Sequence, residues 1–333
     1  MKILVTGATG FIGNHLIRML LDQEESFDIT CLVRDDNKGK EIQKKYNVKY
    51  VIGDITQYES LNKLDKDFDI IFHLAAMGHV SATSEEALQS FVNVNEGGTK
   101  NLIHYFKDSK SLKKFIHFSS TAAMGPIGKP YLDEQSTPNP VTPYQISKNR
   151  SEKLSLQACH DFGFPTVVIR PCMVYGVGGY GEFYKFCKLM KKGVFPKVGL
   201  GKNLTPLVYV SDVVQGAINA MYYGQCGEVY IIASETSICM DNLHSIIMKN
   251  IGKKGIYPFV PSRIALLAAK CLEYFFNFLG KEPIVTYRNI KSTVTDRTFV
   301  IQKAKNELNY KPQVSFEKGI KETIAWYKAE GKL

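Results

Sequence analysis

The chain has 333 residues, 44% hydrophobic and 22% charged, with a formal net charge of +10. That is globular composition, long enough for two lobes, and it excludes extensive disorder. The basic balance suits an anionic small molecule or surface, but no basic run is long or aromatic-interleaved enough to track a nucleic acid, so nucleic-acid binding is set aside.

In chain order, residues 2–5 are β-type and end in a glycine-rich turn, and residues 11–21 have helical spacing. Strands are predicted at 28–33, 48–52 and 69–73, then a long helical stretch at 85–106 and a strand at 114–118. A helix at 144–161 leads to a sixth strand at 166–169. Four glycines in residues 176–181 mark a loop, followed by a helix at 182–192. Short strands at 208–213 and 228–232 flank a helix at 213–222, and the remainder is helical at 241–250, 263–279, 300–308 and 316–327. Alternating strands and helices imply a parallel sheet buried on both faces. The expected fold is therefore α/β: a Rossmann-type doubly wound sheet with a smaller, mostly helical C-terminal lobe. The dinucleotide-binding domain is placed at 1–175 with 208–235 returning to it, and the substrate lobe at 176–207 and 236–333.

The seven cysteines include no C-x-x-C pair and their number is odd, which argues against a disulfide framework and a zinc site. The apolar run Ile3–Val5 is too short for a signal peptide, and the run at 264–269 is far below the ~20 residues of a membrane span. A cytoplasmic protein with reduced thiols and no metal is expected.

Thr6-Gly7-Ala8-Thr9-Gly10-Phe11-Ile12-Gly13 lies between a strand and a helix. Glycines there allow a tight turn and close approach to a pyrophosphate, and the helix start offers free N–H groups. Some 20 residues further, where a dinucleotide site reads the adenosine ribose, the second strand ends Leu32-Val33-Arg34-Asp35. Arg34 favours the 2′-phosphate of NADP(H), while Asp35 and Asp36 keep NAD(H) open. Asp54 and Ile55 follow the third strand, where a carboxylate can meet an adenine amino group or cap a helix.

Tyr144 and Lys148 stand one turn apart at a helix start. A phenol with an ordinary pKa near ~10 becomes an acid–base group when an ammonium and a cationic nicotinamide lower it. Upstream, Ser119, Ser120 and Thr121 close the fifth strand; a hydroxyl there can hold the substrate oxygen, and turn chemistry accounts for at least one of the serines.

Gly7–Gly13, Asp54, Phe72-His73-Leu74-Ala75-Ala76, Asn95, Ser119-Ser120-Thr121 and Tyr144/Lys148 occur in one order, followed by Arg170–Gly176, Val208–Val213, Glu307–Pro312 and Trp326-Tyr327. Across essentially the whole chain this resembles the extended short-chain dehydrogenase/reductase family, the NAD-dependent epimerase/dehydratases. The resemblance implies that Tyr144 is the general acid/base, Lys148 its pKa-lowering and ribose-binding partner, and Thr121 the Ser/Thr of catalysis. It implies a structural role for Asn95, puts Leu74, Ala75 and Ala76 along the cofactor, and turns Pro171 and the backbone to Val174 toward the nicotinamide. With Ser119, these residues complete the expected cofactor site. Members that take sugar nucleotides often carry Asn where Met173 stands and Arg just before the Tyr-Val segment, where this chain has Thr205-Pro206-Leu207. Those departures are more like the branch that includes 3β-hydroxysteroid-type dehydrogenases and dihydroflavonol-type reductases.

The expected activity is hydride transfer to or from a nucleotide-activated sugar, as a 4-keto reductase or epimerase. The alternatives are a dehydrogenase for a more apolar hydroxysteroid-like or flavonol-like substrate, and a non-catalytic NAD(P) sensor. By resemblance a homodimer forms through helices 85–106 and 144–161. In segment 262–281, Lys270, Glu273, Asn277 and Lys281 form a narrow polar stripe on an otherwise apolar helix. It is expected to pack into the small lobe, with a dimer face or a peripheral membrane contact as alternatives.

Overall fold

The structure, a computed structural model, describes residues 1–78, 85–126, 131–192, 197–252, 259–278 and 287–333. Seven strands, β1 (Lys2–Thr6), β2 (Asp28–Val33), β3 (Lys49–Ile52), β4 (Ile70–His73), β5 (Lys114–Phe118), β6 (Thr166–Pro171) and β7 (Val229–Ile232), form one parallel sheet in the order β3-β2-β1-β4-β5-β6-β7. Strand side chains alternate between faces. Ile3 and Val5 enter one core and Leu4 the other; Ile70 and Phe72 part from Ile71 in the same way.

The helices are α1 (Phe11–Leu21), α2 (Asp36–Tyr46), α3 (Glu85–Phe91), α4 (Gly98–Phe106), α5 (Pro143–Phe162), α6 (Glu182–Lys191), α7 (Val210–Tyr223), α8 (Met240–Ile251), α9 (Ser262–Phe278), α10 (Tyr287–Val294), α11 (Gln302–Leu308) and α12 (Phe316–Ala329). One face of the sheet is covered by α1, α7 and α11, through Leu16, Ile17, Val213, Ala217 and Leu308. The other is covered by α4 and α5, through Leu102, Ile103, Phe106 and Ala158. A further core of Phe183, Cys187, Leu243, Ile247, Ile320 and Tyr327 joins α6, α8 and α12 as the smaller lobe. Ala304, Leu308 and Tyr310 bury within the sheet core.

Strand order reverses between β1 and β4. Loops after these strands diverge to opposite sides, opening a crevice at the carboxyl edge where ligands of such sheets bind.

Several elements differ from the sequence reading, among them α10, which it did not contain. α2 was not anticipated: it buries only Gly39 and Ile42 and is otherwise charged, so its hydrophobic period is too sparse to see. The stretch 85–106 is not one continuous α-helix; a π-helical segment at Val92–Gly97 separates α3 from α4. The strand expected at 208–213 spans only Leu207–Tyr209, paired with Met173–Tyr175, and α7 begins at Val210. The β-branched run looks like a strand, but Val210, Val213, Val214 and Ala217 recur at helical spacing and all are buried.

Candidate active site

The glycine turn is fixed by contacts that leave no room for side chains. Gly7 has φ +73°, and a Cβ there would lie 2.7 Å from the Ala75 nitrogen. A Cβ on Gly13 would lie 2.3 Å from the Gly7 carbonyl oxygen. Gly10 caps α1 without a side-chain bond, and the first turn of α1 carries no acid. The N-terminal N–H groups and positive dipole end of α1 therefore face the crevice without an anionic side chain of their own.

A directed hydrogen-bond chain ties this turn to the loop after β4. The Ala75 amide donates to Thr6 Oγ1 at 3.2 Å, and Leu74 N donates to the Thr6 carbonyl at 3.1 Å. Thr6 Oγ1 meets His73 Nδ1 at 2.8 Å, His73 Nε2 meets Thr99 Oγ1 at 2.9 Å, and the Thr99 hydroxyl donates to the Asn95 carbonyl at 2.6 Å. The Thr99 proton is committed, so His73 must donate from Nε2 and accept at Nδ1. This is the neutral imidazole, and burial, with the Lys148 charge adding, pushes the His73 pKa down to about 3.

Asn95 sits in the π-helical segment, which turns its side chain inward. Its Oδ1 accepts from Met77 N at 2.7 Å and its Nδ2 donates to Ser147 Oγ at 2.9 Å. It thus joins the loop carrying Leu74, Ala75 and Ala76 to α5.

α5 starts with Thr142 in a capping box with Gln145 and Pro143 in its first turn. That cap fixes where Tyr144 enters the crevice, with its ring edge-on to buried Phe91. The hydroxyl beside Tyr144 is Ser120, which hydrogen-bonds the phenol. Thr121, to which the resemblance gives the catalytic role, is its neighbour in the chain. Ser120 is extended, two residues past β5, and caps the 3-10 turn Thr121–Met124, which Thr121 begins. Burial pushes the Tyr144 phenol up, and the Ser120 hydrogen bond opposes it. Buried Lys148 donates through Nζ to the Phe118 carbonyl at 2.6 Å, and burial lowers its own pKa to about 8.

Beneath Lys148, one turn along α5, buried Glu152 takes a two-pronged bond from Arg170, with Nε at 3.0 Å. Its charge acts to raise the Lys148 pKa. Sequence reasoning missed Glu152, Ser147, Thr6 and Thr99. Glu152 continues the four-residue spacing from Tyr144 and Lys148, which is a readable signal; the others show only in three dimensions.

The remaining expected positions are dispersed around the crevice. At the end of β2, Arg34 is exposed, Asp35 caps α2 by accepting from Lys38 N at 2.9 Å, and Asp36 takes the Tyr50 hydroxyl at 2.8 Å and Lys40 at 2.6 Å. Asp54 caps no helix; its Oδ1 accepts from Thr56 N at 2.9 Å and Thr56 Oγ1 at 2.8 Å, an Asx turn. The Ile55 side chain is buried against Gly98. Pro171 ends β6, and Val174 lies in the short strand beyond it. The loop at 176–181 crosses the start of α1: the Val177 carbonyl meets His15 Nε2 at 2.7 Å, Gly179 packs on Phe11, and the Gly179 carbonyl accepts from Tyr327 Oη at 2.6 Å.

A dinucleotide fits these residues. The cradle at Gly7 and Gly13 excludes any Cβ, the α1 terminus supplies unsatisfied donors, and the Ser119 hydroxyl is buried without a protein partner.

A model of the NAD dependent epimerase/dehydratase family matches residues 3–233. The chain belongs to that family. Among its relatives, a 4-hydroxy-2-methyl-3-oxo-4-farnesyl-3,4-dihydroquinoline-1-oxide ketoreductase from Stigmatella aurantiaca is 26% identical over 326 residues, covering 96% of this chain and 95% of the relative. The dTDP-D-glucose 4,6-dehydratase of Homo sapiens is 26% identical over 338 residues, 98% of this chain and 90% of the relative. The crystal structure of UDP-glucuronic acid 4-epimerase from Bacillus cereus in complex with NAD superimposes with a TM-score of 0.77 at 25% identity, covering 99% of both chains. The family bears out the resemblance read from the sequence and makes this chain an NAD(P)-dependent enzyme of the extended short-chain dehydrogenase/reductase type.

Proposed function

We propose that this family member is an oxidoreductase that moves hydride to or from a ring carbon of a nucleotide-activated sugar, as a 4-keto reductase or an epimerase. The observation that carries the reading is Tyr144 bonded to Ser120 just past β5, with Lys148 one turn along α5 and held by the Phe118 carbonyl that ends β5. The human dehydratase and the bacterial epimerase, whose names specify nucleotide sugars, support the substrate class, and the +10 charge suits its diphosphate.

A bound nicotinamide dinucleotide supplies the hydride donor or acceptor. Tyr144 carries the proton at the substrate oxygen, donating it on reduction and removing it on oxidation. Ser120 holds the same oxygen and, through its bond to the phenol, sets the direction of the Tyr144 hydroxyl. Lys148 places a charge beneath the ribose side of the crevice, held by the Phe118 carbonyl. Arg34 reads a 2′-phosphate, so NADP(H) is the preferred cofactor: Asp35 and Asp36 are committed to a cap and to Tyr50 and Lys40.

A second reading, reduction of an apolar ketone, draws on Met173, 42% exposed where related enzymes often carry Asn, and on the ketoreductase relative. Product analysis of nucleotide sugars for 4-keto reduction or for inversion at C4, beside NAD(P)H oxidation with a prenylated or polycyclic ketone, separates the two. Turnover of the sugar supports the first, turnover of the ketone alone transfers the activity to the second, and turnover of neither with intact cofactor binding leaves a sensor.

We also propose a homodimer through α4 and α5. Their outer surfaces form a groove of about 690 Å³ lined by Ile103, His104, Lys107, Leu154 and Phe162. Mass photometry at working concentration is expected to find dimers; monomers alone would overturn this assembly.

A further inference from the structure

Expected to pack into the small lobe, α9 is instead exposed along most of its length. Its fully buried residues are Ala265 and Ala269. Ile264, Leu267, Leu272, Tyr274, Phe275 and Phe278 are exposed, with Leu267 at 65%, Tyr274 at 80% and Phe278 at 82%. At about 100° per residue they occupy one continuous arc of roughly 160°, with Ala268 and Cys271 between them. Phe259, just before the helix, is also exposed, as is Leu200 beside Gly199, which packs on Ser262. A monomer ordinarily leaves little contiguous apolar surface in water, and a run of six large exposed apolar side chains on one helix marks an interaction face.

Charge decides what covers it. Arg263 and Lys270 are neighbours on the helical wheel and border one edge of the arc, both exposed. Glu273, the acid of this helix, lies on the opposite side of the wheel and is half-buried. α10 packs beside α9 and presents exposed Lys291. Lys281 and the Asn277 side chain, also in the expected polar stripe, lie outside the described residues. Residues 281–333 contain 11 Lys/Arg against 6 Asp/Glu. An aromatic apolar face edged by long cations matches a helix lying in the plane of a bilayer interface, its face at the acyl boundary and its cations at the phosphates. In an antiparallel two-fold pairing of α9 with its copy, both cationic edges fall on one side, where they repel; anionic lipid neutralises them. Among the described residues no helix is long and apolar enough to cross a membrane.

We infer that α9 docks this protein on an anionic membrane surface, lying flat with Leu267, Phe275 and Phe278 inserted and Arg263 and Lys270 on lipid phosphates. The inference rests on the lobe surface alone and is independent of the reading of the active site.

Flotation of the full chain with phosphatidylcholine vesicles, with and without about 30 mol% phosphatidylglycerol, tests it. The protein should float with the anionic vesicles roughly tenfold more than with the neutral ones, and less at high salt. Leu267→Asp with Phe275→Asp should cut the bound fraction roughly tenfold or more, and Arg263→Glu with Lys270→Glu should remove the anionic preference. These side chains are exposed, so unchanged thermal midpoint and dinucleotide binding will show that the variants fold. No flotation, or flotation that neither pair reduces, overturns the inference. So does a solution dimer that Leu267→Asp with Phe275→Asp dissolves in a protein that does not float.

Discussion

Replacing Tyr144 by Phe removes the proton carrier and keeps the ring against Phe91. Turnover should fall by roughly 10²–10⁴-fold with dinucleotide affinity unchanged, as read by kinetics and fluorescence titration. Ser120 and Thr121 give the sharper contrast. Ser120→Ala, which removes the hydroxyl bonded to the phenol, should lower kcat substantially more than Thr121→Ala. The reverse order would restore the role the resemblance assigned to Thr121. Arg34→Asp should weaken NADPH while sparing or improving NADH; an unchanged preference would show that Arg34 is an ordinary solvated charge. Tyr144, Lys148 and the glycines were readable because each needs its own residue type at a fixed spacing. The bond from Ser120 to the phenol was not, since three adjacent hydroxyls look alike in sequence.

Among the elements, the π-helical segment before α4 carries the most consequence. Single π turns often mark functional positions, and here one places Asn95 between the β4 loop and α5. Asn95→Ala should leave the Met77 amide unsatisfied, cost about 1–3 kcal/mol in urea unfolding, and raise the dinucleotide Kd. Full affinity with lowered stability would reduce Asn95 to a structural role. Periodicity could not reveal this segment, because one added residue shifts a helical face without erasing it. It also missed α2, whose polar surface hides a two-residue core face, and extended the strand after Pro206 into α7 because β-branched valines suit either state until packing selects one. The parallel sheet was legible throughout, since each strand is an apolar run bounded by turn residues.

At the scale of the molecule, several buried histidines bear on acid stability. His73 is pushed down to about 3 and His117 well below its usual value, both chiefly by burial. The native state therefore holds fewer protons than the unfolded chain at pH values between the folded pKa and about 6.5. Stability should be full at neutral pH and fall as pH drops below about 6.5, by about 1.4 kcal/mol per pH unit for each histidine. Urea midpoints measured from pH 7 to pH 5 will show the slope, and a flat series would contradict it. The geometry agrees, since a protonated His73 has no acceptor to offer the Thr6 hydroxyl.

The loop over α1 bears on how the chain is made. Residues 7–13 are synthesised well ahead of Tyr327, whose hydroxyl holds that loop through Gly179 and which is added roughly three hundred residues later. A nascent chain can assemble all seven strands with the rim of its nucleotide cleft still loose. Cofactor capture during translation should therefore await α12, and a ribosome stalled before Tyr327 should carry a folded sheet that holds its dinucleotide poorly.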